Sequence, residues 1–279
     1  MDICTRASPG SVRSTITTCI EARPLVAVIA SSERRIAGGE ALLSVARTSR
    51  GHVIERLRRG ERLAPRVLEA GFDAVQACVL PTQAGPLSGD HDRARIVVGA
   101  DATLVVRPVA ATLALPGAAR TRLGLDIEVG AGGRLVLEDP PLIVAAGAHV
   151  ERTTTVRLAA GAVVALRETI VLGRAGEAGG RLVSTLRVND GEGVVLHDAL
   201  RLDPATSLQD AHVALAPGHR VAGTLCLLGL AAPGEPRLAL ARGGALRRVT
   251  ARGVAELEAE LAQPWAEWAQ AVAPGVVAC

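Results

Sequence analysis

Leu123-Gly124-Leu125-Asp126-Ile127-Glu128-Val129, followed at once by Gly130-Ala131-Gly132-Gly133, is the stretch that decides the fold. Leu123, Leu125, Ile127 and Val129 alternate with Gly124, Asp126 and Glu128, and that period of two buries one face of a strand while wetting the other. The small residues behind it form a turn. An apolar residue, a small or polar turn and a return to apolar recur on both sides. The copies are Val98-Gly99-Ala100-Asp101-Ala102, Val129-Gly130-Ala131-Gly132-Gly133, Leu158-Ala159-Ala160-Gly161-Ala162, Val188-Asn189-Asp190-Gly191-Glu192 and Leu215-Ala216-Pro217-Gly218-His219. Their starts are separated by 31, 29, 30 and 27 residues. Such a period, with strands on either side of each turn, predicts a mainly β fold built of stacked strand repeats, a β-helix-like body.

Outward from this centre, Val75–Leu80 reads as a strand and Pro81–His91 as a polar turn. Residues 1–50, rich in Ser, Thr, Arg and Gly, read as an irregular N-terminal extension, which leaves the β domain over 51–279. At the other end, residues 252–272 carry Val254, Leu257, Leu261, Trp265 and Trp268 at helical spacing among Glu256, Glu258, Glu260 and Glu267. Pro264 predicts a split into two short helices, because proline lacks the amide proton that continues a helix. Two readings stand for Trp265 and Trp268: they cap the β body, or they dock a partner.

Composition narrows the chemistry. All 31 basic side chains are arginine, so a P-loop lysine, a Schiff-base lysine and a lysine general base are excluded. Net charge is +3, with basic residues scattered and almost no aromatics between them, which argues against a nucleic-acid partner. Cys4, Cys19, Cys78, Cys226 and Cys279 are odd in number and widely spaced, as expected for reduced thiols in a cytoplasmic protein. The apolar runs Leu25–Ala30 and Val221–Ala232 are too short to span a bilayer, which takes about 20 apolar residues. The motifs GxSxG, HExxH and strand-linked GxGxxG are absent. The six histidines are scattered, with His212 and His219 bracketing one turn.

One constellation remains. Alternation in Val164–Leu172 puts Val164, Leu166, Glu168, Ile170 and Leu172 on one face, which Glu168 interrupts. In Val194–Leu202 it puts Val194, Leu196, Asp198, Leu200 and Leu202 together, which Asp198 interrupts. Asp139, Glu168 and Asp198 each lie ten residues after their turn starts at Val129, Leu158 and Val188. Carboxylates on apolar faces must be paired, hydrated or bound to a cation. Two readings follow: a structural ladder paired with arginine, or a hydrated path whose oxygen donors hold a divalent metal loosely enough to let it pass.

The chain from about Val53 to Val272 resembles the UreD (UreH) family of urease accessory proteins, in its divergent actinobacterial form. The resemblance is carried by Gly85-Pro86-Leu87-Ser88-Gly89-Asp90 leading to Ile96-Val97-Val98-Gly99-Ala100, and by Ala111-Thr112-Leu113-Ala114-Leu115-Pro116-Gly117. Arg167-Glu168-Thr169-Ile170-Val171-Leu172-Gly173-Arg174, Leu182–Leu202 and Glu256–Trp268 extend it. Where many members carry a Thr-Thr-Gln-Ala-like segment, this chain has Leu104-Val105-Val106-Arg107-Pro108-Val109-Ala110. The resemblance implies a β-helix-like fold with C-terminal helices and no catalytic site. It also implies a complex with the F and G accessory proteins, G being a GTPase, that docks on apo-urease. No resident cofactor is implied, only nickel in transit, with Asp139, Glu168 and Asp198 as its candidate contacts. The alternatives are a β-helical carbohydrate-active enzyme, which the lack of aromatic platforms disfavours, and an exported structural repeat protein.

Overall fold

The computed structural model describes residues 39–203, 215, 216, 218–233 and 238–276. In chain order these form β1 (Ala41–Thr48), β2 (Gly51–Arg58), β3 (Leu63–Ala70), β4 (Val75–Pro81), β5 (His91–Val98), β6 (Thr103–Val106), β7 (Thr112–Ala114), β8 (Thr121–Val129) and β9 (Arg134–Glu138). They continue with β10 (Leu142–Val144), β11 (His149–Leu158), β12 (Val163–Leu172), β13 (Arg181–Asp190), β14 (Gly193–Leu202), β15 (Val221–Leu228), β16 (Leu238–Ala239), β17 (Gly244–Ala251) and α1 (Val254–Val272).

The alternating strands are laid side by side in two facing sheets. The first has the order β14-β13-β11-β8-β5-β1-β2, and the second β16-β17-β15-β12-β9-β6-β4-β3. Strands β1, β5, β8, β11 and β13 run parallel, as do β4, β6, β9 and β12. Antiparallel partners close each sheet at both ends. The chain therefore winds between the sheets as a β-solenoid of about 4 turns, in agreement with the repeat.

Three of the five turns are true solenoid corners. Their fourth residues, Asp101, Gly132 and Gly161, all have left-handed φ, at 53°, 65° and 69°. Aspartate and glycine tolerate that region better than most residues. The corners stack: the Asp101 amide donates to the Ala131 carbonyl at 2.9 Å and the Gly132 amide to that of Ala160 at 3.0 Å. Val188–Glu192 differs, being the hairpin that joins β13 to the antiparallel β14. The fifth copy leads into β15, which runs antiparallel to β12. The last two matches in spacing are therefore not further coils.

Two more expectations need correcting. Strand β1 lies inside the stretch read as irregular; its Leu43 and Val45 pair with β5 and are buried in the main core. Val194 does not share the buried face of β14. A bulge shifts the register between Val188 and Asn189, and Val194 is 66% exposed while Leu200 and Leu202 stay buried. One inserted residue reverses the parity that alternation assumes.

The C-terminal segment is a single helix, with Pro264 inside it. Proline cannot donate to the carbonyl four residues earlier, that of Glu260. Arg247 of β17 donates its Nη2 to that carbonyl at 3.3 Å, so the helix continues. Truncating Arg247 to alanine is expected to lower stability by about 1–2 kcal/mol, read as a drop in the urea midpoint of the isolated chain. An unchanged midpoint would mean that the carbonyl is satisfied without it. Leu257 and Leu261 sit over Gly223 of β15, where a Cβ would come within 2.4 Å of Leu261. Arg134 donates to the Val272 carbonyl at the helix end. Among the described residues, no helix is long and apolar enough to cross a membrane.

Candidate functional site

Inward-facing side chains divide the space between the sheets into two apolar clusters with a polar belt between them. On β12 the order is Val164 and Leu166 in one cluster, Glu168, then Ile170 and Leu172 in the other. On β11, Val150 belongs to one cluster and Val156 and Leu158 to the other, with Arg152 and Thr154 between. The same interruption falls at Ser184 of β13, Asp198 of β14, Thr224 of β15 and Arg248 of β17. Register aligns these positions, since Glu168 pairs with Thr224 and Thr224 with Arg248. Asp139 joins the belt from just beyond β9, where the second sheet breaks: β12 pairs with β9 on one side of that gap and with β10 on the other.

The belt is an alternation of acids and arginines. Arg152, 5% exposed, bridges two carboxylates: it forms an ion pair with Asp139, and its Nη2 lies 2.9 Å from Glu168 Oε1. Glu168 is 6% exposed. Arg248 holds both oxygens of Asp198, at 3.3 and 2.5 Å, and donates its Nε to Thr224 Oγ1 at 3.0 Å. All three acids predicted from the sequence therefore face the interior, and each is met by an arginine. Their equal offset has two origins. Asp139 and Glu168 stand in successive coils of the second sheet, whereas Asp198 reaches the belt from the edge of the first.

Next to Asp139 and Arg152 a cavity of about 110 Å³ opens between the sheets, large enough to hold several water molecules. Ala94, Ile96, Leu123 and Leu125 form its apolar wall, and buried Asp92 lines its other end. Arg62 holds Asp92 at 2.7 Å and Asp90 at 2.5 Å. From Asp92 on β5 to Asp198 on β14 is four strand spacings, roughly 19 Å at about 4.8 Å each. A line of carboxylates thus follows the solenoid axis. Sequence reasoning missed Asp92 because it precedes the first turn. It also left Arg62, Arg152 and Arg248 among scattered surface charges, since pairing across sheets leaves no local trace.

Burial, reinforced by the nearby Asp139 and Asp198, holds the Glu168 carboxyl above the ordinary carboxylate range against the opposing pull of Arg152 and Arg248. Folded Glu168 therefore keeps its proton to higher pH than the unfolded chain does. The stability it contributes is full below the unfolded value of about 4.3 and is lost as pH rises through the folded value. Glu168→Gln does not titrate, so its stability is expected to gain on the wild type as pH rises above that unfolded value. Parallel stability–pH curves for the two proteins would rule this out.

The remaining donors are poor metal ligands. Burial raises the thiol of Cys78, and burial together with Glu168 and Asp198 raises that of Cys226. His219 Nδ1 is engaged with Thr250 Oγ1 at 2.8 Å, while His212 lies outside the described residues. No three His, Cys, Asp or Glu side chains among the described residues form a group that could hold a metal ion. The belt offers oxygen donors in series, not one chelating cage. Trp265 and Trp268 are buried under α1, in one cluster with Leu257, Leu261, Val221 and Leu225. The helix shows solvent its acidic side, Glu256, Glu260 and Glu267.

The family described as UreD urease accessory protein matches residues 38–277. The chain belongs to the UreD family. Among its relatives, Urease accessory protein UreD 1 of Streptomyces griseus is 35% identical over 233 residues, which is 81% of this chain and 90% of that protein. Urease accessory protein UreD of Frankia alni is 41% identical over 173 residues, 50% of this chain and 58% of that one. The UreD of Parafrankia sp. is 38% identical over 200 residues, 71% of this chain and 64% of that one. These relatives are actinobacterial. The span matched to UreD takes in β1 and the whole belt, from Asp92 to Arg248.

Proposed function

We propose that this chain is a cytoplasmic, non-catalytic urease maturation factor that works with the F and G accessory proteins to convey nickel to apo-urease. The observation that supports it best is the belt: Asp92, Asp139, Glu168 and Asp198, interleaved with Arg62, Arg152 and Arg248, follow the solenoid axis between two apolar clusters, and the first two line one cavity. A protein that stored nickel would gather soft or chelating ligands. One that passes it on needs weak oxygen contacts in sequence, each easily left. The chain has no lysine for a phosphate loop, so nucleotide hydrolysis falls to the GTPase partner. Trp265 and Trp268 serve the complex indirectly, by anchoring the helix whose acidic side faces outward.

A second reading keeps the family role and makes the belt structural, because each carboxylate has an arginine. Co-purification tests the shared part. The chain should bring down the F-type accessory protein and, through it, the GTPase. If the F-type protein does not associate while both are folded, the proposed role is wrong.

A further inference from the structure

We propose that Arg152 is a displaceable counter-ion: its guanidinium occupies a cation station formed by Asp139 and Glu168 and keeps that station weak, so that a divalent ion passes on. The inference rests on the reading of the belt as a metal route. Three observations lead to it. First, Arg152 sits between the two carboxylates as a cation would, with Nη2 2.9 Å from Glu168 and ion-paired to Asp139 on the other side. Second, it has somewhere to go. Arg152 and Asp139 both line the cavity of about 110 Å³. The backbone of Arg152 is fixed between Leu123 and Ser184 in the sheet, but rotation about its side-chain bonds can carry the guanidinium into that space. Third, the charges leave room. Three carboxylates share two guanidinium groups, and Asp139 and Glu168 are both served by Arg152 while Asp198 has Arg248.

Arg248 does not share this property. Thr224 and both oxygens of Asp198 hold it, and it does not line the cavity. When a divalent ion arrives, each carboxylate exchanges an N–H···O bond for a metal–oxygen contact, and no covalent bond changes. Arg152 remains nearby as a positive charge. Its repulsion weakens the bound ion, and its return favours release. Without that charge, Asp139 and Glu168 would hold the ion.

The test is nickel binding to the full-length chain by calorimetry, using Arg152→Gln, which keeps a hydrogen-bond donor and removes the charge. One Ni²⁺ per chain is expected to bind at least about tenfold more tightly than to wild type. Added Ni²⁺ should raise the melting temperature of the variant and leave that of the wild type nearly unchanged. Arg152→Gln/Glu168→Gln should lose the gain. Equal binding by wild type and Arg152→Gln, or a gain that survives loss of Glu168, would overturn the proposal. The wild-type chain gives a second readout that does not depend on the variant folding. Ni²⁺ should broaden the Arg152 guanidinium signal of ¹⁵N-arginine-labelled protein before that of Arg248, and equal broadening of both would contradict the displacement. The route itself fails independently, if neutralised Asp139, Glu168 and Asp198 leave nickel delivery normal.

Discussion

Trp268→Ala is expected to lower the unfolding free energy of the isolated chain by about 3–5 kcal/mol. Trp268 is 3% exposed and packs with Leu257, Leu261, Leu225 and Val272 between α1 and the outer face of the second sheet. Truncation leaves a ring-sized void that the sheet, hydrogen-bonded on both sides, cannot close. Trp265→Ala should lose a similar amount, and also the indole that faces Glu138. Polar contacts add to the apolar ones: Arg167 pairs with Glu138 and Glu258 across the interface, and Arg134 meets the C-terminal carbonyl. Chemical denaturation of the purified chain decides the matter. An unfolding free energy within about 1 kcal/mol of wild type would mean that the tryptophans are not core residues and would return them to direct partner contact.

Arg152→Met is expected to be nearly as damaging, for a different reason. Removing one member of a buried ion network leaves its partners unmatched, a loss of about 3–5 kcal/mol. Here Asp139 and Glu168 would both be stranded in the interior. Replacing all three together with apolar side chains of similar size is expected to be close to neutral, because the desolvation of every charge is recovered along with the lost attraction. The two urea midpoints make the comparison. A mild effect of Arg152→Met alone would mean that the belt is more hydrated than its burial indicates.

The contrast between these two regions shows what a sequence carries. Alternation in β8 was legible because a strand with one wet face must repeat every second residue, and in β12, buried on both faces, Glu168 stood out against its apolar neighbours Leu166 and Ile170. The corners at Asp101, Gly132 and Gly161 were legible because left-handed backbone selects small or aspartate side chains. The bulge near Val194 was not, since one extra residue leaves no compositional mark and puts Val194 on the opposite face from Leu200 and Leu202. Pro264 misled because its effect depends on whether another element satisfies the Glu260 carbonyl, and Arg247 stands in a different strand. The arginines of the belt were invisible for the same reason. Arg152 and Glu168 belong to neighbouring strands in the chain but to opposite sheets, and only the winding brings them together.

The most direct test of nickel conveyance is the metal content of urease matured by this chain. Urease, its accessory proteins and either the wild-type chain or Asp139→Asn/Glu168→Gln/Asp198→Asn would be produced together at limiting nickel, and nickel per urease active site measured after purification. Amides keep the shape of the belt and remove its charge, and co-purification would verify that the complex still assembles. A complex that forms normally but yields nickel-poor urease, with loading recovered in excess nickel, is the predicted result. Full nickel occupancy with the substituted chain at limiting nickel would contradict the route and leave the belt a purely structural ladder.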